Sequence, residues 1–321
     1  MHKKISVVIP TYQRPNLLLS CLKALKKQTL PVTDFEVIVV HDGPETNMKN
    51  KMSVFAYKNN LDLHYLNTEI KKGPAAARNL GWLSAKSNLI AFTDDDCRPS
   101  KNWLASIVNA YHGEELIAFT GKTIVPLPPE PTDYELNTAK LSTADFITAN
   151  CACTKNALIK IGGFDEAFKL AWREDSDVHF KLIKYEIPIL ALPSAIVIHP
   201  VRSATWGISL KEQKKGIYDA LLLKKHPRLY HQKIRTKPLY NYYAILFSTV
   251  ALFVFLFLGW ITLSKILGVV LVLLIGNFSW KRLQHAKKSV SHVAEIILTS
   301  IAIPFVSLYW HYYGRLKFRK I

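Results

Sequence analysis

Cysteine is scarce in this 321-residue sequence, with four residues and no Cys-x-x-Cys pair, which argues against a disulfide framework and fits a reducing compartment. Cys151 and Cys153, one residue apart, share one face of any strand that holds them and read as buried strand residues. Two glycine signatures are also missing. Neither Gly-x-Gly-x-x-Gly nor the P-loop pattern ending in Gly-Lys-Ser/Thr occurs, so neither a dinucleotide fold nor a P-loop is indicated. No secretory leader is expected: Met1-His2-Lys3-Lys4 precedes only Ile5-Ser6-Val7-Val8-Ile9 before Pro10, far short of a signal core and read as a first strand, and the N-terminal part is expected to stay in the cytosol. Acids are outnumbered, 24 against 42 Lys and Arg, and the formal charge of +18 implies an anionic partner: nucleic acid, acidic lipid or phosphorylated substrate.

What is abundant is apolar residues, 49% of the chain, and the excess sits at the C-terminal end, too uneven for one soluble domain. Up to about residue 125, β-branched runs alternate with helical stretches. Ile5 to Ile9, Glu36 to Val40, Leu63 to Leu66 and Asn88 to Phe92 read as strands. Asn16 to Gln28 and Ala75 to Lys86 read as helices, the second with alanines suited to close packing on a sheet. Pro126 to Asp133 holds four prolines and reads as an extended loop. A strand near Phe146 to Thr154, a helix near Asp175 to Tyr185 and a strand from Ala195 to His199 complete an α/β domain.

From Lys211 to Lys237 the chain is strongly basic, and Ile208, Leu210, Ile217, Leu221 and Leu222 are expected on one side of an amphipathic helix resting on anionic headgroups. Nucleic acid is the less fitting anion, because the basic residues cluster beside apolar runs. Leu239 to Leu263 lacks charge and is long enough to cross a bilayer. Ile266 to Trp280 reads as a short return span or re-entrant segment, followed by the positive loop Lys281, Arg282, Lys287 and Lys288. Ile296 to Tyr313 contains Pro304 and ends in a basic tail, Arg315, Lys317, Arg319 and Lys320. Two spans plus a broken helix are expected, three ordinary spans being the alternative. The divisions are 1–205 for the α/β domain, 206–238 for the basic segment and 239–321 for the membrane region.

Chemistry concentrates in acids. Asp94-Asp95-Asp96 directly follows an apolar strand, where open α/β sheets bind ligands. Three adjacent like charges suit neutralisation by a hard divalent cation, Mg²⁺ or Mn²⁺, that would bridge to phosphate. A solvated turn with Asp96 or Ser100 capping the next helix is the alternative. Asp42 ends another strand on the same sheet edge and either meets a base N–H or makes a plain turn. Lys72 and Arg78 flank Gly73-Pro74, whose helix start favours a pyrophosphate. Glu174, Asp175 and Asp177 open a helix, more acids than the dipole requires, and one of them could take a proton from an attacking hydroxyl. His199, at a strand end, is either a metal ligand or structural.

In order, Val7 to Pro15, Val39 to Gly43, Gly73 to Asn79, Asp94-Asp95-Asp96, Gly163-Phe164-Asp165-Glu166 and Glu174-Asp175-Ser176-Asp177 resemble the family-2 glycosyltransferases. The resemblance covers roughly residues 5 to 200. It implies a GT-A fold, a Rossmann-like mixed sheet of the nucleotide-diphospho-sugar transferases, followed here by a helical transmembrane region. It places Pro10, Thr11 and Asp42 against the nucleoside, with Tyr12, Arg14, Gly73, Arg78, Asp94 and Asp95 on the donor side. It makes Asp96, Asp94 and His199 ligands to Mn²⁺ or Mg²⁺, and Asp175, beside Glu174, the general base of an inverting displacement. His41-Asp42-Gly43-Pro44 departs from the family's usual Asp-Asp-Gly-Ser, which loosens the implication of a uridine donor. The implied partners are a nucleotide-sugar donor, a lipid-linked or glycan acceptor and anionic membrane lipid, with no nucleic acid. A polyprenyl-phosphate sugar synthase is an alternative within the class. Outside it stand a sugar nucleotidyltransferase, disfavoured because no glycine follows the first strand, and a non-catalytic membrane scaffold.

Overall fold

The computed structural model describes residues 3–45, 47–235 and 239–319. Met1, His2, Lys237 and Lys320, which enter the sequence reading, lie outside the described residues. In chain order the elements are β1 (Ile5–Thr11), α1 (Pro15–Lys26), β2 (Phe35–His41), α2 (Met48–Asn59), β3 (Leu63–Asn67), α3 (Pro74–Ser84) and β4 (Leu89–Phe92). Next come β5 (Arg98–Pro99), α4 (Trp103–Ala110), β6 (Ala118–Ile124), α5 (Asp133–Ala139), β7 (Cys151–Thr154), α6 (Lys155–Ile161), α7 (Glu174–Lys184) and β8 (Ile189–Ile198). The C-terminal part is helical: α8 (Ile208–Glu212), α9 (Gly216–Lys225), α10 (Pro227–Lys233), α11 (Tyr240–Phe257), α12 (Ile261–Leu283) and α13 (Val290–Lys317). The chain divides into two compact units, Met1–Pro126 with Ala139–Val201, and Leu127–Thr138 with Arg202–Ile321.

In the first unit the strands form one mixed sheet, ordered β3-β2-β1-β4-β7-β6-β8-β5. β1 pairs in parallel with β2 and β4, and β2 with β3, whereas β7 runs antiparallel to both β4 and β6. Every residue of β1 and β2 is buried, as expected of parallel strands covered on both faces. Alternate residues feed two cores. Val7 packs with Leu18, Leu22 and Leu25 of α1 and Trp103 of α4, while Val8 packs with Ala75 and Ala77 of α3 and Val178 and Leu182 of α7. Cys151 and Cys153 are free, buried strand residues, as read from the sequence. Asn150 ties the second half together: it accepts a hydrogen bond from the Trp103 indole at 2.8 Å and donates to the carbonyls of Lys122 and Ala195, both at 3.0 Å.

The second unit differs from expectation in three ways. The chain turns at Leu258 to Trp260, with Gly259 at φ +76°, inside the stretch read as one span. The second helix is longer than read, 23 residues, and the third runs 28 residues without a break through Pro304. A proline costs one backbone hydrogen bond, and in a long apolar helix that loss is local. With α11 at 18 residues, three helices are thus long and apolar enough to cross a membrane. The apolar side of the basic segment is covered by protein: Ile217, Leu221 and Leu222 of α9 are buried, and α13 crosses so closely that a Cβ on Gly314 would lie 2.8 Å from the Ile217 carbonyl oxygen. Lys211, Lys214 and Lys224 remain exposed, although Lys214 lies over the Trp310 ring at 5.7 Å and Lys224 donates to the carbonyls of Phe318 and Arg319 at 2.7 and 2.8 Å. Arg282, read as part of a positive loop, is only 12% exposed and donates to Asp133 at 2.5 and 3.0 Å, Thr299 at 2.8 Å and Ser300 at 3.0 Å.

Candidate active site

The parallel order places the C-terminal ends of β1, β2 and β4 on one edge, and the chain reverses its direction of growth across the sheet between β1 and β4, where such sheets open a crevice. Thr11 ends β1, Asp42 follows β2, and Asp94 to Asp96 follow β4. Pro10 is an interior residue of β1, buried opposite Val40. Tyr12 stacks on His41 with ring centroids 5.8 Å apart, and the Lys71 ammonium sits 3.6 Å from the Tyr12 centroid. His41 also stacks on Tyr65 and is fully buried, and its Nε2 has no hydrogen-bond partner among the described residues. Sequence reasoning treated His41 only as a departure from a pattern; its place in this aromatic stack was not legible.

Asp42 binds its own chain. Oδ1 accepts the backbone N–H of Lys72 at 2.7 Å and both oxygens accept that of Gly73 at 3.0 Å, so the carboxylate fixes the loop that opens α3. Gly73 itself has φ +102°, and a Cβ there would lie 2.7 Å from the Lys169 carbonyl oxygen; only glycine fits. Pro74 at the first helical position then starts α3 and aims Arg78 inward.

The three aspartates separate into different roles. Asp95, 2% exposed, accepts the Thr11 hydroxyl at 2.8 Å and pairs with Arg14 at 3.3 Å, although burial still raises its pKa. Asp94 accepts the buried Arg78 guanidinium at 2.8 Å. Asp96 faces His199, Oδ1 to Nε2 being 3.8 Å. That approach is built by pairing: β8 runs parallel to β6 and receives two-residue β5 antiparallel, with Arg98 opposite Ile198. One residue before that pair is Cys97, and one residue after it is His199. Capping of the next helix by Asp96 or Ser100 does not occur, since α4 begins at Trp103 after Asn102 without a side-chain cap.

Asp94, Asp96, Cys97 and His199 each offer a ligand atom, all within 4.8 Å of one another. Cys97 was not singled out by the sequence; burial, with Asp94 and Asp96 beside it, pushes its thiol well up. Two carboxylates and an imidazole fit a divalent ion, and the nitrogen donor suits Mn²⁺ better than Mg²⁺, which favours an all-oxygen shell.

Across the cleft floor, Arg78 also donates to Glu174 Oε1 at 3.1 Å, linking α3, the β4 end and α7 through one buried cation. Glu174 is 3% exposed, and its Oε2 has no hydrogen-bond partner among the described residues. Burial pushes its carboxyl up to about 7 despite Arg78. Arg173, with φ +74°, turns the chain into α7 in a conformation uncommon for a long side chain, and Gln13, φ +53°, does the same beside Arg14. Asp177 is neutralised by Lys181 at 2.8 Å. Asp175 is the remaining acid of this turn: it is half-buried, forms no ion pair among the described residues, and accepts the N–H of Ser176 at 2.6 Å and its hydroxyl at 3.3 Å. Burial raises its pKa.

This mixed α/β sheet, with an acidic cluster at its switch point, has its candidate binding residues where open α/β sheets bind ligands. Solved structures agree in fold: two neighbours are GalNAc-T7 with UDP, GalNAc and Mn²⁺ (TM-score 0.52, 18% identity, covering 68% of this chain and 47% of that one) and S. aureus TarS 1-349 in complex with UDP (TM-score 0.50, 17% identity, 96% and 91%). The chain belongs to Glycosyl transferase family 2, whose sequence profile matches residues 6–166. Among curated relatives, the pre-mycofactocin glycosyltransferase of Mycobacterium tuberculosis (strain CDC 1551 / Oshkosh) is 27% identical over 242 residues, covering 70% of this chain. The chain spans about half of that relative's length, 49%.

Proposed function

We propose that the protein is an inverting, metal-dependent glycosyltransferase that moves a sugar from a UDP-sugar to an acceptor held at the cytosolic face of a membrane, in glycolipid, polysaccharide or cell-envelope glycan synthesis. The observation that carries this reading is the gathering of Asp94, Asp96 and His199 within 4.8 Å at the strand ends of a family-2 sheet. When bound there, a divalent ion supplies charge neutralisation for the departing diphosphate. The uridine assignment draws on the UDP bound in the two GT-A neighbours.

Tyr12, Asp42 and Thr11 line the nucleoside end, where Asp42 keeps the Lys72–Gly73 backbone in place and Thr11 and Arg14 fix Asp95 toward the sugar or ribose. Arg78 holds Asp94 and Glu174 in register. Asp175 is the base: its position at the start of α7, without a cation bound to it, lets it accept the proton of the attacking acceptor hydroxyl. Glu174 is committed to Arg78, which leaves one available carboxylate and favours a single displacement over a double one. The three apolar helices and the exposed lysines of α8 and α9 support a membrane-bound acceptor, because confinement to the same surface raises its effective concentration.

Calorimetric titration of the detergent-purified protein with a panel of nucleotide sugars, with Mn²⁺ and again with EDTA, tests the reading. Binding of one UDP-sugar that needs Mn²⁺ and is lost in Asp96→Asn is expected. Absence of binding to every donor under both conditions would overturn it.

A further inference from the structure

A second group of ligands lies at the opposite edge of the sheet, at the N-terminal ends of β2 and β3. Glu36 Oε2, Asp62 Oδ1 and His64 Nε2 lie within 4.8 Å of one another. His64 Nε2 is 3.0 Å from Asp62 Oδ1 and 3.3 Å from Glu36 Oε2. Around an ion about 2.0 to 2.2 Å from each ligand, the edges of a tetrahedron of N and O ligands are about 3.3 to 3.6 Å; the Glu36–His64 separation has that length, and the Asp62–His64 separation reaches it with a few tenths of an ångström of opening.

Two further observations point to a cation. Glu36 is fully buried, and while its Oε1 accepts the Ser6 hydroxyl at 2.6 Å and the Lys86 N–H at 2.7 Å, its Oε2 accepts no hydrogen bond among the described residues. A buried carboxylate oxygen without a hydrogen bond is costly, and the groups of positive charge that reach Oε2 among the described residues, the His64 ring at 3.3 Å when protonated and the exposed Lys86 ammonium at 3.7 Å, do so loosely. The second is a conflict at one ring nitrogen. His64 Nε2 faces the two carboxylate oxygens and also the Lys86 ammonium at 3.2 Å. If Nε2 carries a proton, it meets the ammonium hydrogens; if it does not, its lone pair faces two anionic oxygens. A metal ion resolves both cases, because all three atoms then present lone pairs to one centre.

We propose that Glu36, Asp62 and His64 form a second divalent-metal site, of the kind that takes Zn²⁺, independent of the donor site and of the reading given for it. Lys86 occupies the position of the ion in its absence and is free to leave: its side chain is 57% exposed and lies 3.7 Å from Glu36 Oε2. Lys3 need not move, since it holds the other Asp62 oxygen, Oδ2, at 2.9 Å and the carbonyls of Thr33 and Phe35, both at 3.1 Å. Asp62 and His64 are 32% and 40% exposed, so solvent ions reach the site. The mixed nitrogen and oxygen set selects Zn²⁺ over Mg²⁺, and the bound ion would clamp the start of β2 to the start of β3.

The test uses the full chain in detergent, stripped of metal and carrying His199→Gln and Cys97→Ser together with Asp96→Asn to disable the donor-side cluster, titrated with Zn²⁺ by calorimetry and with Co²⁺ by visible absorption. One Zn²⁺ per chain is expected, with Co²⁺ d–d bands of a four- or five-coordinate site. Adding His64→Gln, at a partly exposed position where folding is not at stake, should weaken Zn²⁺ binding by about tenfold or more and abolish the Co²⁺ bands. Binding that is unchanged by His64→Gln, or a protein with only the three donor-side substitutions that takes up no Zn²⁺, would overturn the assignment. Absence of donor binding by the native chain would count against the function proposed above and not against this site.

Discussion

Replacing Arg78 by methionine removes one buried cation and leaves two acids facing each other across the cleft floor. In the native chain the guanidinium is 2% exposed and makes charge-assisted hydrogen bonds of 2.8 Å to Asp94 and 3.1 Å to Glu174. Breaking a buried pair by deleting one partner costs about 3 to 5 kcal/mol, because the remaining charge has no compensation. In a domain of this size that is a fall in Tm of roughly 6 to 20 °C. The loss should depend on pH with a definite sign. Glu174 is already pushed up to about 7 with Arg78 in place, so it binds its proton more tightly folded than unfolded. Its contribution to stability is present below its unfolded pKa, near 4.5, and is lost as pH rises through about 7. Without Arg78 the folded value moves higher still, so the variant should be much weaker than the native protein at pH 8 and close to it at pH 5. Thermal unfolding of both proteins in detergent, followed by intrinsic tryptophan fluorescence, reads this directly. Adding Glu174→Gln to the variant should restore a large part of the loss at pH 8. A Tm drop of equal size at pH 5 and pH 8 would refute the charge argument and leave only lost packing.

Two further substitutions probe the site. Asp175→Asn should leave Mn²⁺-dependent donor affinity within a few fold while lowering turnover by about a hundredfold or more, the usual worth of a general base; a fully active variant would remove the base assignment. Gly73→Ala puts a Cβ against the Lys169 backbone at a φ that alanine resists, which should cost about 1 to 3 kcal/mol by chemical or thermal unfolding and weaken donor binding through the Asp42 loop.

β1 and β2 were legible because parallel strands covered on both faces read as β-branched runs; β3, Leu-His-Tyr-Leu-Asn, and β4, Leu-Ile-Ala-Phe, showed only as short apolar stretches. β6 was not: Ala-Phe-Thr-Gly-Lys-Thr-Ile carries a glycine and a lysine, and its strand state comes from pairing with β7 and β8 rather than from its own pattern. α2 escaped notice because its twelve residues bury only Met48 and Met52. In the site, the acids stood out as strand-end and helix-start residues. Their partners did not, since Arg78 and Glu174 are 96 residues apart and no local signal couples them. The three-residue break between α11 and α12 was hidden because Leu258 and Trp260 continue the apolar composition and only the backbone of Gly259 marks the turn.

The segment Leu127–Thr138 leaves the first unit between β6 and β7, belongs to the second, and returns. Its Asp133 is held by Arg282, 149 residues further along, so during synthesis at about 5 to 20 residues per second this short stretch waits on the order of ten seconds or more for its partner. No single cut of the chain separates the two units, and a fragment ending near residue 202 would keep Asp133 while losing Arg282, the cation that holds it.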